Sequence, residues 1–176
     1  PEDHTERGVR VPALLWRYWK AHGGMELFGP PLATAARVGA LTRQFFENVL
    51  LELHPDQADT PFLVQPALLG RTAASGQDFA PVAETTDTRF FPPTGHTLRE
   101  AFQAYWEQRD GEKLFGYPLS EEFEAPTADG QRRLVQYFER TIFSYDPQAG
   151  VRLEPLGWAA LVLERVRGPA LAQQIR

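Results

Sequence analysis

Two stretches of this chain repeat each other, and that constrains the fold more than any other feature. Laid without a gap over Arg99–Leu119, Pro12–Leu32 is identical at eight of twenty-one positions. These are Tyr18/Tyr105, Trp19/Trp106, Gly24/Gly111, Leu27/Leu114, Phe28/Phe115, Gly29/Gly116, Pro31/Pro118 and Leu32/Leu119. After a five-residue insertion in the second copy, Gln44-Phe45-Phe46-Glu47 falls on Gln136-Tyr137-Phe138-Glu139, and Pro55 on Pro147. The first offset returns at Val64/Val151, Leu69/Leu156 and Gly70/Gly157. Rare residues recurring in order mark a tandem repeat of about sixty residues. The expected organisation is a single domain over 1–176: repeat 1 (11–70), a connecting segment (71–96), repeat 2 (97–158) and a C-terminal helix (158–176).

Each copy reads as one small α+β unit of a helix, an F-G-x-P-L turn and a β-hairpin, with approximate two-fold symmetry between the copies. In the second, Thr97 and Glu100 are spaced as a capping box that opens a helix running to about Arg109. Asp110-Gly111 stops it, glycine supplying the left-handed residue. Leu98, Ala101, Phe102, Tyr105 and Trp106 form one apolar face, as do Leu14, Leu15, Tyr18 and Trp19. Pro12 suits a first helical position, and Gly23-Gly24 closes that helix. Ser120 is placed to cap a short turn or helix before Glu121 and Glu122. Thr42–Phe46 with Val49–Leu53, and Leu134–Phe138 with Ile142–Tyr145, read as hairpin strands ending before Pro55 and Pro147. Both faces of each hairpin carry aromatics, so the face turned from the helix needs a second cover. The segment between the copies carries Phe90-Phe91, which predicts that it lies along the body rather than as free coil.

Composition excludes several function classes. With net charge −5 there is no basic balance for nucleic acid, and no apolar run reaches the ~20 residues of a membrane span. The absence of cysteine removes disulfides, thiolate metal sites and cysteine nucleophiles. His4, His22, His54 and His96 have no metal-ligand spacing, and none of the three serines sits in G-x-S-x-G. No phosphate-cradling glycine loop or dinucleotide fingerprint is present. No cofactor or metal is expected, and the chain reads as a non-enzyme. The opening Pro1-Glu2-Asp3-His4-Thr5 lacks the apolar core of a leader, and a start at proline reads as a processed or excised fragment.

The shared motif is a Trp-bearing helix, glycine, L-F-G-x-P-L, Q-F/Y-F-E, an apolar strand and L-G. It resembles the LGFP-type repeats of bacterial cell-surface and secreted proteins. The closest matches are Gly116-Tyr117-Pro118, Glu121-Glu122 and Gln136-Tyr137-Phe138-Glu139. The chain departs from that pattern in having Phe28 and Phe115 before glycine, and in the long segment between copies. The resemblance implies an extracellular or cell-envelope accessory module. It would bind wall polysaccharide or another protein domain, with no nucleic acid and no membrane insertion.

The candidate binding residues are Tyr117, Glu47, Glu139, Arg140, Gln44 and Gln136, the loop aromatic and the polar repeat positions. Glu47 and Glu139, recurring at equivalent places, also raise a glycan hydrolase with paired carboxylates. A turn glutamate that binds an arginine or turn amides is the plainer expectation. Tyr18, Trp19, Gly29, Pro31, Phe46, Tyr105, Trp106, Gly116, Pro118 and Phe138 are expected to be structural. The helix tryptophans lie on the core stripe.

Overall fold

The computed structural model describes residues 2–167 and is mixed α+β, with short helices and four small antiparallel sheets. It divides into two compact units. The first takes the chain as far as Val64 and resumes at Pro155; the second is Gln65–Glu154.

The first unit opens with the hairpin β1 (His4–Glu6) and β2 (Val9–Val11), then α1 (Ala13–Ala21). Pro12 is the cap of α1 rather than its first residue, with extended backbone at ψ 142°. Gly23, at φ 102°, turns the chain into the single-turn α2 (Gly24–Leu27). Strands β3 (Ala36–Val38), β4 (Leu41–Phe45), β5 (Leu50–Leu53) and β6 (Val64–Pro66) make a sheet in that order, with a 3-10 turn at Pro55–Gln57.

The second unit begins with α3 (Leu69–Ala74), followed by the hairpin β7 (Arg89–Phe91) and β8 (His96–Leu98). Helices α4 (Glu100–Glu107) and α5 (Gly111–Leu114) lead into β9 (Phe123–Pro126), β10 (Arg132–Tyr137), β11 (Ile142–Asp146) and β12 (Gly150–Leu153). Their sheet order is β12-β11-β10-β9. The chain then returns to the first unit as α6 (Leu156–Arg167). The rest of the terminal helix expected to 176 lies outside the described residues.

The helix starts differ from the sequence expectation. Thr97 caps nothing: it is buried in β8, and its N–H and hydroxyl both donate to the Glu121 carboxylate. Helix α4 starts at Glu100, whose φ is +46°, and ends at Glu107. Asp110, not Gly111, supplies the left-handed residue at φ 53°. Gly111 is required for another reason, since a Cβ there would lie 2.1 Å from the Trp106 ring. Ser120 starts no helix; its hydroxyl donates to the Glu121 carbonyl and accepts the Tyr137 N–H.

Several contacts recur in the two units. Trp19 is buried and its indole N–H donates to the Gly29 carbonyl at 3.0 Å; Trp106 does the same to Gly116 at 2.9 Å. Pro31 bridges Phe46, and Pro118 bridges Phe138. The fully buried phenylalanines Phe28 and Phe46 in one unit, and Phe115, Phe138 and Phe143 in the other, form the cores. Tyr18 stacks 6.1 Å from Phe28, and Tyr105 stacks 5.9 Å from Phe115.

The L-G segments fall on opposite sides of the unit boundary from the ladders that precede them. Leu69-Gly70, read with repeat 1, lies in the second unit, where Arg71 N–H donates to the Glu139 carbonyl at 2.9 Å. Leu156-Gly157, read with repeat 2, lies in the first, where Trp158 N–H donates to the Glu47 carbonyl at 2.9 Å. Glycine at both places lets a helix start touch a hairpin turn directly.

The outer sheet faces are covered by different means. In the first unit α6 packs on β4. In the second, Phe79 of the connecting segment lies 5.2 Å from the Tyr137 ring and 5.6 Å from Phe123. Phe91 of the same segment is buried against Trp106 and Tyr117.

Candidate functional site

The polar residues singled out from the sequence belong to the two hairpin turns. Gln44 and Gln136 are fully buried, and each amide nitrogen donates to two backbone carbonyls. For Gln44 these are Arg10 (3.0 Å) and Ala33 (2.9 Å); for Gln136 they are Thr97 and Ser120, both at 2.8 Å. A side chain so enclosed meets no ligand, so both are removed from the binding set and tie loops to the sheet instead.

Glu139 has one carboxylate oxygen on Arg71 and the other 2.9 Å from the Tyr117 N–H. It packs beneath Gly116, where a Cβ would stand 2.6 Å from its own Cβ. Glu47 packs beneath Gly29 in the same way but is exposed in its unit. Arg140 donates to the Pro66 carbonyl and lies 3.3 Å from the Gln65 side chain. Tyr117 is half-buried against Phe91, and its hydroxyl donates to Glu112 at 2.9 Å. That bond to a carboxylate raises the phenol's pKa above its ordinary value. In the second unit Glu139, Arg140 and Tyr117 are thus each engaged by neighbouring groups that hold the turn.

A concave polar surface of the second unit lies elsewhere, at the end of its sheet. In the antiparallel register of β10 and β11, Val135 faces Ser144, so Leu134 and Tyr145 are side by side on the face that α4 covers further along. Helix α4 starts too late to cover this end, leaving Tyr145 38% exposed. A cleft of about 740 Å³ opens over this pair, lined also by Glu124, Asp129, Gln131, Arg132 and Gln148. A smaller hollow of about 240 Å³ shares Leu134 and Tyr145 and reaches Glu100, Phe102 and Glu122.

Charged groups in and beside these hollows are paired. Arg133 bonds both Asp129, at 2.7 Å, and Asp146. Hydrogen bonds from Thr127, then from Arg133 and the Gln131 N–H, hold Asp129 at a pKa of about 2. Asp146 is held low chiefly by the N–H of Gln148, with that of Ala149 and the two arginines adding to it. Glu122 is pushed up by burial, against the opposing effect of Arg99 at 3.0 Å. The positive φ of Glu100 at the mouth of the smaller hollow is backbone strain of about 1–3 kcal/mol, of the kind found at ligand sites. Among the described residues no group of three or more His, Cys, Asp or Glu side chains is arranged to hold a metal.

Sequence reasoning did not pick out Tyr145, Leu134, Arg132, Gln148, Glu124 or Glu122 as a site. The period-two alternation of β11 contained part of the signal, because it places Tyr145 on the helix-covered face. That the helix stops short of it is a matter of packing.

No protein-family model matches the chain, and comparison with curated proteins gives no match.

Proposed function

We propose that this chain is a duplicated, LGFP-like α+β module with approximate two-fold symmetry between its copies. It serves without catalysis as an extracellular or cell-envelope binding domain that recognises wall polysaccharide. The observation that carries the reading is Tyr145, an exposed ring on a rigid strand at the floor of a polar-walled cleft. An aromatic face is negative at its centre and attracts the weakly positive C–H face of a pyranose. Glu124, Gln131, Arg132 and Gln148 around it offer planar donors and acceptors for sugar hydroxyls. A cleft of this size sits within the range of small-ligand sites.

Support for the duplication comes from the matched contacts of the two units, above all Trp19 to Gly29 and Trp106 to Gly116. Support for a non-catalytic role comes from Glu139, whose two oxygens are already committed to Arg71 and the Tyr117 N–H. The direct experiment is retention of the whole chain on insoluble, purified bacterial wall polysaccharide. Saturable retention released by soluble fragments of the same polymer is expected, and passage without retention removes the proposal.

The alternative is a protein-interaction or spacer module of a larger secreted protein. One observation favours it: Trp158, Val162 and Val166 of α6 recur every four residues and are all exposed. Association with a protein partner in the absence of any glycan is its expected signature.

A further inference from the structure

The two hairpin turns are built alike but closed differently. Glu47 and Glu139 sit at matching places. Their N–H groups donate to the Pro30 and Tyr117 carbonyls at 3.0 and 3.1 Å, and their carbonyls accept from the Trp158 and Arg71 N–H groups, each at 2.9 Å. The side chains hold the same pose as well. A Cβ on Gly29 would lie 2.6 Å from the Glu47 Cβ and 2.9 Å from its Oε2; at Gly116 the distances to Glu139 are 2.6 and 2.7 Å.

What differs is the pair of donors. The Glu139 carboxylate accepts from the Arg71 guanidinium and from the Tyr117 N–H. In the first unit Pro30, which has no N–H, stands in the place of Tyr117, and Trp158, which has no charge, in the place of Arg71. Among the described residues the Glu47 carboxylate has no hydrogen bond or ion pair. Packing under Gly29 thus holds it in the pose that binds a guanidinium in the second unit. Trp158 starts from the backbone position from which Arg71 reaches Glu139, and it is 53% exposed. An indole face attracts a cation, and a guanidinium fits a carboxylate with two parallel N–H donors. Val162 and Val166 continue the exposed stripe from Trp158, an apolar surface that a protein would cover and a free cation would not.

We propose that Glu47 and Trp158 form a receptor for one arginine side chain of a partner protein. Its guanidinium takes on Glu47 the place that Arg71 takes on Glu139. The site belongs to the first unit and the Tyr145 cleft to the second, so the proposal goes beyond polysaccharide recognition and does not rest on it.

The test titrates the isotopically labelled whole chain with a blocked Gly-Arg-Gly peptide. Saturable shifts are expected at the Trp158 indole N–H and at the Glu47 and Asn48 amides. The same peptide with citrulline, alike in shape but uncharged, should bind at least about tenfold more weakly. Glu47→Gln, at an exposed position, should lose the response with the rest of the spectrum unchanged. Trp158→Arg, which supplies the cation from within the chain, should lose it too. The proposal is overturned if no saturation appears up to about 10 mM peptide, if the citrulline peptide binds alike, or if either variant responds as the parent does. It is also overturned if glucosamine, a sugar bearing an ammonium group, saturates these residues at lower concentration than the peptide.

Discussion

A Cβ on Gly70 would stand 1.8 Å from the carbonyl oxygen of Phe138. The matching distance in the other unit, from Gly157 to the Phe46 carbonyl, is 1.9 Å. A helix start is thus wedged against a hairpin turn with no room for a methyl group. Gly70→Ala and Gly157→Ala should each lower unfolding free energy by about 2–3 kcal/mol, read from urea titration. Gly130 has open space around it, so Gly130→Ala should cost only the ~1–2 kcal/mol of its positive φ. A Gly70→Ala chain as stable as the parent would contradict the packing described.

Gln136 ties two loops to the sheet by donating to the Thr97 and Ser120 carbonyls. Gln136→Leu keeps the apolar bulk but leaves both carbonyls buried without a donor, at about 3 kcal/mol in total. For a chain of this length that corresponds to a fall in Tm of roughly 6–12 °C. Gln44→Leu should behave alike through Arg10 and Ala33. Unchanged melting temperatures would show that these amides are dispensable.

Much of the local structure was legible because glycine, proline and tryptophan have narrow structural uses. Trp19 and Trp106 are core residues, as their position on the helix stripe indicates, and the turns at Glu47 and Glu139 follow the predicted strands. The glutamate that binds an arginine and a turn amide is Glu139, with Arg71 and Tyr117. Other features depend on what a segment meets in space. Leu69-Gly70 carries nothing in its sequence to say which hairpin turn it covers. Gln44 and Gln136 look like polar surface residues until their faces are seen to be closed by loops. The short strands β3 and β9 escape notice, the latter because Pro126 sits at its end. Thr97 has the spacing of a cap, but the carboxylate of Glu121 takes both of its donors and holds it in a strand.

Acid should weaken the second unit through two of its aspartates. Asp129, at about 2, and Asp146, also lowered, both titrate in the folded chain below the ordinary aspartate value of ~3.9. A carboxylate with a depressed folded pKa contributes stability above its unfolded pKa and loses it as pH falls through the folded one. Stability should therefore fall between about pH 4 and pH 2 and be insensitive to these groups at higher pH. Asp129→Asn should lower the urea midpoint at pH 7, with the gap from the parent closing towards pH 2. A gap of constant size across that range would assign the effect to something other than this charge.

Tyr145 as the platform of a polysaccharide site is tested by its own substitution. Tyr145 is exposed, so Tyr145→Ala should leave the fold intact, as checked by its melting temperature. Titration of the parent, Tyr145→Ala and Tyr145→Phe chains with soluble wall polysaccharide provides the comparison. Binding at least about tenfold weaker is expected for Tyr145→Ala, and near-parental binding for Tyr145→Phe, which keeps the ring face. Parental affinity in Tyr145→Ala, or no binding by the parent itself, would contradict it.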